Sequence, residues 1–178
     1  MIIFMGVAGS GKSMQGRLLA DREGLPWLAT GEFLRMLISG DERRDMLAGK
    51  LLDDEEIITL VQKIFTVVDV EEEFVMDGFP RTEGQADWLM NQVKYGQLDV
   101  TAVIHLTASE ETVTKRLLGR GRQDDHKEAI IERFREYEDA IKPILEHFKQ
   151  AGIAVHDING EQEPEAVHQD ILKALDRL

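Results

Sequence analysis

The sequence predicts an α/β fold, a three-layer α/β/α arrangement around a central parallel sheet of about five strands. Short runs of β-branched and large apolar residues alternate with longer helical patterns along 178 residues. The first run leads straight into a glycine-rich turn, and that turn opens a helix. Such alternation calls for a parallel sheet, because parallel strands need a crossover long enough to return the chain, and a helix packed on the sheet supplies it.

The strands fall at Ile2–Met5, Glu73–Asp77, Ala102–Leu106 and Ile153–Asp157, with a shorter one near Trp27–Leu28. Glycine or acidic turns bound them. Periodicity near 3.6 residues places helices at about Met14–Arg22, Gly31–Ser39, Glu55–Val68, Glu83–Tyr95, Glu110–Leu118, Lys127–Gln150 and Pro164–Leu175. Two stretches break the rhythm, the all-helical Thr30–Thr59 and the arginine-rich turn Arg120–Asp125. They are read as an insertion and a lid on a single domain spanning residues 1–178.

Composition narrows the function classes. A hydrophobic fraction of 43% with 31% charged residues fits a globular chain with a real core. With 21 Lys and Arg against 34 Asp and Glu, the formal charge of −13 opposes association with nucleic acid or an anionic membrane. The basic patch Arg116, Arg120 and Arg122 is small, and Asp124 and Asp125 follow it, so it reads as a pocket for a small anion. Cysteine is absent, which excludes disulfides and thiolate zinc sites. His105, His126, His147, His156 and His168 lack metal-ligand spacing and read as ordinary imidazoles. No basic leader precedes an apolar segment and no run is long enough to span a bilayer, so a cytoplasmic protein is expected. Without sustained heptads the default assembly is a monomer.

Gly6-Val7-Ala8-Gly9-Ser10-Gly11-Lys12-Ser13 matches G-x-x-x-x-G-K-[ST] between a strand and a helix. This is a phosphate-binding loop in its required setting. Glycines let consecutive backbone N–H groups turn onto phosphate oxygens, and the helix behind directs its positive end at the same anion. Lys12 is placed to reach β- and γ-phosphates and the Ser13 hydroxyl to touch Mg²⁺.

Asp77-Gly78-Phe79-Pro80-Arg81 stands where the second clear strand stops. Ligands in parallel sheets collect beyond the carboxyl ends of the strands, so one cleft can hold this segment and the phosphate loop together. Asp77 suits Mg²⁺ through its water shell, Gly78 a close approach, and Arg81 a planar fork for phosphate. Gln85, four residues on, shares a helical face with Arg81, and its amide offers the donor and acceptor that an adenine edge requires. Thr30 reads as the N-cap of a helix that carries Arg35 one turn in. Gly119 and Gly121 among the arginines suggest a hinge, with Arg133 on the next helix.

Taken together, these motifs resemble the adenylate kinases, a branch of the nucleoside monophosphate kinases. The resemblance runs from Met1 to about Gly160 and includes Thr30-Gly31-x-x-Leu34-Arg35, Ala48-Gly49-Lys50 and Gly121-Arg122-x-Asp124-Asp125 followed by Arg133. It implies a P-loop NTPase-like fold with an NMP-binding insertion at about 30–59 and a short lid at about 119–126. The implied reaction moves the γ-phosphoryl of MgATP to AMP, giving two ADP. Gly9, Ser10, Gly11, Lys12, Ser13 and Met14 would hold ATP, with Arg116 on its base and Arg120 on its phosphates. Thr30, Arg35, Gly78, Arg81 and Gln85 would bind AMP, while Arg122 and Arg133 close on the transferring phosphoryl. Lys12, Arg81, Arg122 and Arg133 are thus the expected catalytic residues, with Ser13 and Asp77 beside Mg²⁺.

The nearest alternatives are a UMP or CMP kinase and a small-metabolite kinase. UMP and CMP kinases typically carry Ala at the position of Thr30 and Asn at that of Gln85, so both positions favour AMP. Small-metabolite kinases of similar architecture accept a hydroxyl and need a base, which an Asp or Glu near the cleft could supply, whereas an AMP phosphate is already anionic. A nucleotide-binding regulator without turnover is the third reading. The loop here reads Gly11-Lys12-Ser13-Met14 where adenylate kinases usually have Gly-Lys-Gly-Thr, and Ala8 stands at a usual proline.

Overall fold

A computed structural model describes residues 1–37, 39–40, 53–123 and 125–178. The segment Ala48-Gly49-Lys50 and the residue Asp124 of the sequence motifs lie outside these. The described strands are β1 (Ile2–Met5), β2 (Trp27–Ala29), β3 (Val75–Asp77), β4 (Ala102–Thr107) and β5 (Val155–Asn159). They form one parallel sheet in the order β2-β3-β1-β4-β5. The strand that launches the phosphate loop therefore lies at the centre.

Helices connect them: α1 (Lys12–Glu23), α2 (Thr30–Leu37), α3 (Asp54–Phe65), α4 (Glu83–Lys94), α5 (Glu110–Arg120), α6 (Lys127–Glu136), α7 (Lys142–Gln150) and α8 (Pro164–Ala174). Because β1 is buried on both faces, its residues alternate between two cores. Ile3 and Met5 join Met76, Leu89, Ile144 and Phe148 on one side, while Ile2 and Phe4 join Leu19, Ile104, Ile171 and Leu172 on the other. Each such side chain contributes about 1.5–3 kcal/mol on burial, which fixes the sheet as a rigid base for the loops at its carboxyl edge.

Several boundaries differ from the sequence reading for local reasons. The run predicted as one helix over Lys127–Gln150 contains a π turn at Tyr137–Ile141, where the Lys142 N–H bonds to the Tyr137 carbonyl. Pro143 follows at the start of α7. It has no N–H to donate and its ring crowds the carbonyl four residues back, and the wider turn accommodates both effects. Strand β5 runs two residues later than expected at each end, because pairing with β4 continues to Thr107 against Asn159. Thr30 begins α2 but does not cap it, since its hydroxyl donates to the Gly78 carbonyl at 2.8 Å.

Candidate active site

The phosphate loop is shaped by glycines at backbone angles that other residues rarely adopt. Gly6, Gly9 and Gly11 have φ of 132°, 88° and 110°. A Cβ on Gly6 would lie 2.3 Å from the Leu106 carbonyl oxygen, and one on Gly9 2.9 Å from Leu117 Cγ. The backbone thus packs against β4 and α5 with no room to spare.

Helix α1 begins at this loop without a side-chain cap and without an acidic residue in its first turn. By contrast, Asp53, Thr82, Ser109 and His126 accept the first-turn N–H groups of α3, α4, α5 and α6. The positive end of α1 is left for an external anion.

Lys12 is bent back onto the loop, its Nζ donating to the carbonyls of Gly6 at 2.6 Å and Val7 at 2.9 Å. Burial lowers its pKa from 10.5 to about 8, only partly opposed by the nearby Asp77 carboxylate, and Arg81 lowers it further. A polyanion in the loop favours charged Lys12, so above pH 8 binding must take up a proton. ATP binding at pH 8.5 is therefore expected to show proton uptake that becomes small at pH 7, read by calorimetry in buffers of differing ionisation enthalpy. Equal uptake at both pH values would exclude Lys12 as its source.

Ser13 Oγ donates to Asp77 Oδ2 at 2.5 Å, joining the start of α1 to the end of β3. Asp77 is buried, opposite Phe4 on one side and Ala29 on the other. A hydroxyl and a carboxylate at this separation form a hard-oxygen donor pair that suits a small dication. Among the described residues no cluster of three His, Asp or Glu could hold a metal by itself. The pair fits Mg²⁺ carried in with phosphate oxygens and water.

A cleft of about 480 Å³ opens between the loop and the sheet edge. Gly9, Ser10, Gly11, Lys12, Ser13 and Met14 line one side, and Arg35, Asp77, Gly78 and Arg81 another. Arg116, Arg120, Arg122 and Arg133 complete it. Arg116 donates to the Gly160 carbonyl at 2.8 Å. A Cβ on Gly160 would lie 2.6 Å from the Ser10 carbonyl oxygen, so the segment after β5 is pressed directly beneath the phosphate loop.

Two predicted residues stand behind this lining. Thr30 is buried and ties α2 to Gly78, whose own φ is 84°. Gln85 is also buried, with Oε1 accepting the Arg81 N–H at 2.9 Å and Nε2 donating to Asp54 Oδ1 at 2.9 Å. In this conformation its amide organises the Asp77–Arg81 loop and links α4 to α3.

Asp125 stands in the sequence motif without an assigned role, and Glu136, Gln15, Gln162, Pro164 and Val167 are additions that the structure makes. Asp125 is fully buried and accepts from Arg120 Nε at 2.8 Å, Arg120 Nη2 at 2.6 Å, Arg133 Nη1 at 3.0 Å and the Arg122 N–H at 3.1 Å. It gathers the guanidiniums of Arg120 and Arg133 and the backbone of Arg122 around one carboxylate. Glu136 Oε1 stands 3.6 Å from Arg81 Nη1 and lines the cleft, three residues after Arg133 on the same helical face. Gln15, Gln162, Pro164 and Val167 extend the cleft toward α8, with Gln15 Nε2 donating to the Pro164 carbonyl at 2.8 Å.

A glycine cradle at an uncapped helix end, a Ser–Asp pair and converging guanidiniums on a doubly wound parallel sheet define a P-loop phosphotransferase. The family model described as "Adenylate kinase" matches residues 4–153. A protein named adenylate kinase from Prochlorococcus marinus is 34% identical over 180 residues, covering 98% of this chain and 97% of the relative. One of the same name from Corynebacterium glutamicum is 33% identical over 180 residues, covering 98% of both chains. Another from Leptospira biflexa is 32% identical over 184 residues, again covering 98% of both. The chain belongs to the adenylate kinase family.

Proposed function

We infer that the cleft catalyses transfer of the γ-phosphoryl of ATP to AMP, giving two ADP. The observation that carries this reading is the convergence of Lys12, Arg35, Arg81, Arg122 and Arg133 on one cavity that the phosphate loop opens. Two polyanions must be brought tail to tail, and a like-charge pair at 4 Å repels by about 4 kcal/mol at an effective dielectric near 20. Guanidiniums and Lys12 offset that repulsion and align the oxygens, which is most of what a loose phosphoryl-transfer transition state asks. No base is required, since the attacking AMP oxygen is already anionic.

In this reading the loop residues Gly9 to Met14 bind the ATP phosphates, Arg116 and Arg120 serve the ATP side, and Arg35, Gly78 and Arg81 serve AMP. Thr30 and Gln85 shape the AMP side, Gln85 reading the base once its amide exchanges Asp54 for the ligand. Arg122 and Arg133 act on the group in transfer. The segment 30–59 works as the AMP-binding insertion and 119–126 as a short lid. Ser13 and Asp77 would hold Mg²⁺, which when bound with ATP neutralises phosphate charge. No helix among the described residues is long and apolar enough to cross a membrane. The working form is taken as a cytoplasmic monomer, which light scattering checks for assembly.

A coupled ADP-formation assay with ATP against AMP, CMP, UMP and GMP tests the reading. AMP is expected to exceed each of the others by at least about tenfold in kcat/KM, the scale of one hydrogen-bonded base edge. Preference for UMP or CMP would overturn the acceptor assignment.

A further inference from the structure

The central sheet carries a buried titratable group that phosphoryl transfer does not use. His105 lies on β4 between Ile104 and Leu106, both completely buried, and its own side chain is only 8% exposed. An apolar residue would occupy this position at no desolvation cost, so the imidazole must be held by partners. It is: Nδ1 lies 2.6 Å from Asp157 Oδ1 on β5, and Nε2 lies 2.9 Å from the Tyr137 hydroxyl. The two rings also stack, with centroids 5.9 Å apart and planes inclined by 21°.

The carboxylate fixes the direction of the first bond. A carboxylate only accepts, so Nδ1–H donates to Asp157, and Nε2 is left to share a hydrogen bond with the Tyr137 hydroxyl. The sheet register places each member. His105 stands opposite Asp157 on one side and opposite Met5, the residue before Gly6, on the other. Tyr137 opens the π turn, and its N–H bonds to the carbonyls of Arg133 and Phe134. Arg133 and Glu136, one turn and one residue before it, both line the cleft.

We propose that Asp157, His105 and Tyr137 are positioning residues for phosphoryl transfer, a hydrogen-bonded strut that sets the Arg133 helix against the strand carrying the phosphate loop. Lys142 adds a cation against the Tyr137 ring, its Nζ 5.4 Å from the ring centre. None of the three residues lines the main cleft, so their influence passes through the placement of Arg133 and Glu136. The proposal rests on Arg133 acting in the transfer step.

The test is Tyr137→Phe, which keeps the ring and removes one hydroxyl. We expect kcat to fall by about fivefold, the value of one buried hydrogen bond, with KM for ATP and AMP within about twofold of the parent. In an Arg133→Ala background the same substitution should change kcat by less than about twofold, because the group it places is gone. His105→Ala should match Tyr137→Phe, and His105→Gln, whose amide can still bond both neighbours, should recover most of the loss. The gradation also covers the case in which one variant folds poorly. An unchanged kcat in Tyr137→Phe, an equal loss in both backgrounds, or no recovery by His105→Gln would overturn the proposal. A near-normal rate in Arg133→Ala alone would remove its premise and overturn it together with the role given to Arg133.

Discussion

Replacing Arg81 with alanine is expected to lower kcat by about three orders of magnitude while leaving the unfolding midpoint within about 4 °C of the parent. The two effects separate because of where Arg81 sits. Its side chain is 39% exposed and its ion pair with Glu136 spans 3.6 Å, a geometry that contributes at most about 1 kcal/mol to stability. In the proposed Michaelis complex the same guanidinium would face phosphate charge that intensifies as the transferring group detaches from its donor. Its backbone is held separately, through the bond from its N–H to Gln85, so truncating the side chain leaves the loop in place. Arg81→Lys should restore only part of the rate, since a point charge cannot grip two oxygens at once. ADP formation and thermal melts on both variants check this, and near-normal turnover in Arg81→Ala would contradict the role assigned to it.

Asp125→Ala carries the largest expected effect on stability, about 3 kcal/mol, or roughly 6–12 °C in the unfolding midpoint. The carboxylate is fully buried between Arg120 and Arg133, so its removal leaves two guanidiniums facing each other across a space that nothing neutral fills. Burial pushes its pKa up, but the hydrogen bonds from Arg120 and Arg133 outweigh burial and hold it at about 2, against 3.8 ordinarily. A carboxylate whose folded pKa is depressed stabilises fully above its ordinary value and loses that contribution as pH falls through the folded one. The gap in midpoint between parent and Asp125→Asn should therefore be constant at neutral pH and shrink from about pH 4 down to pH 2. A gap that persists at pH 2 would place the effect in packing and not in charge.

The parts of the site that were legible in the sequence are those that local chemistry dictates. Gly6, Gly9, Gly11 and Lys12 are spaced by the needs of a phosphate group, and Asp77 terminates an apolar strand, so both could be read without knowing what surrounds them. The alternation of strands and helices likewise gave a parallel sheet, because each segment's periodicity is intrinsic. What could not be read depends on residues distant in the chain. Gln85 offers both amide ends in any helix, but Asp54, 31 positions earlier, occupies one of them. Asp125 looked like part of an acidic turn until Arg120 and Arg133 folded onto it. In sequence His105 reads as an ordinary imidazole, because neither Asp157 nor Tyr137 is near it. Glu136 was the exception, since its spacing from Arg133 alone would have placed it on the cleft side of the helix.

The segment beyond β5 has a practical bearing on how the protein can be shortened. The family match stops at residue 153, yet Gly160, Gln162, Pro164 and Val167 all border the nucleotide cleft. Gly160 also donates its N–H to the Thr107 carbonyl at 2.8 Å. A fragment trimmed to the matched region would lose the outer strand of the sheet and the floor under the phosphate loop together. The residues after β5 are thus structural masonry for the nucleotide cleft, and a shortened form of the protein should keep them.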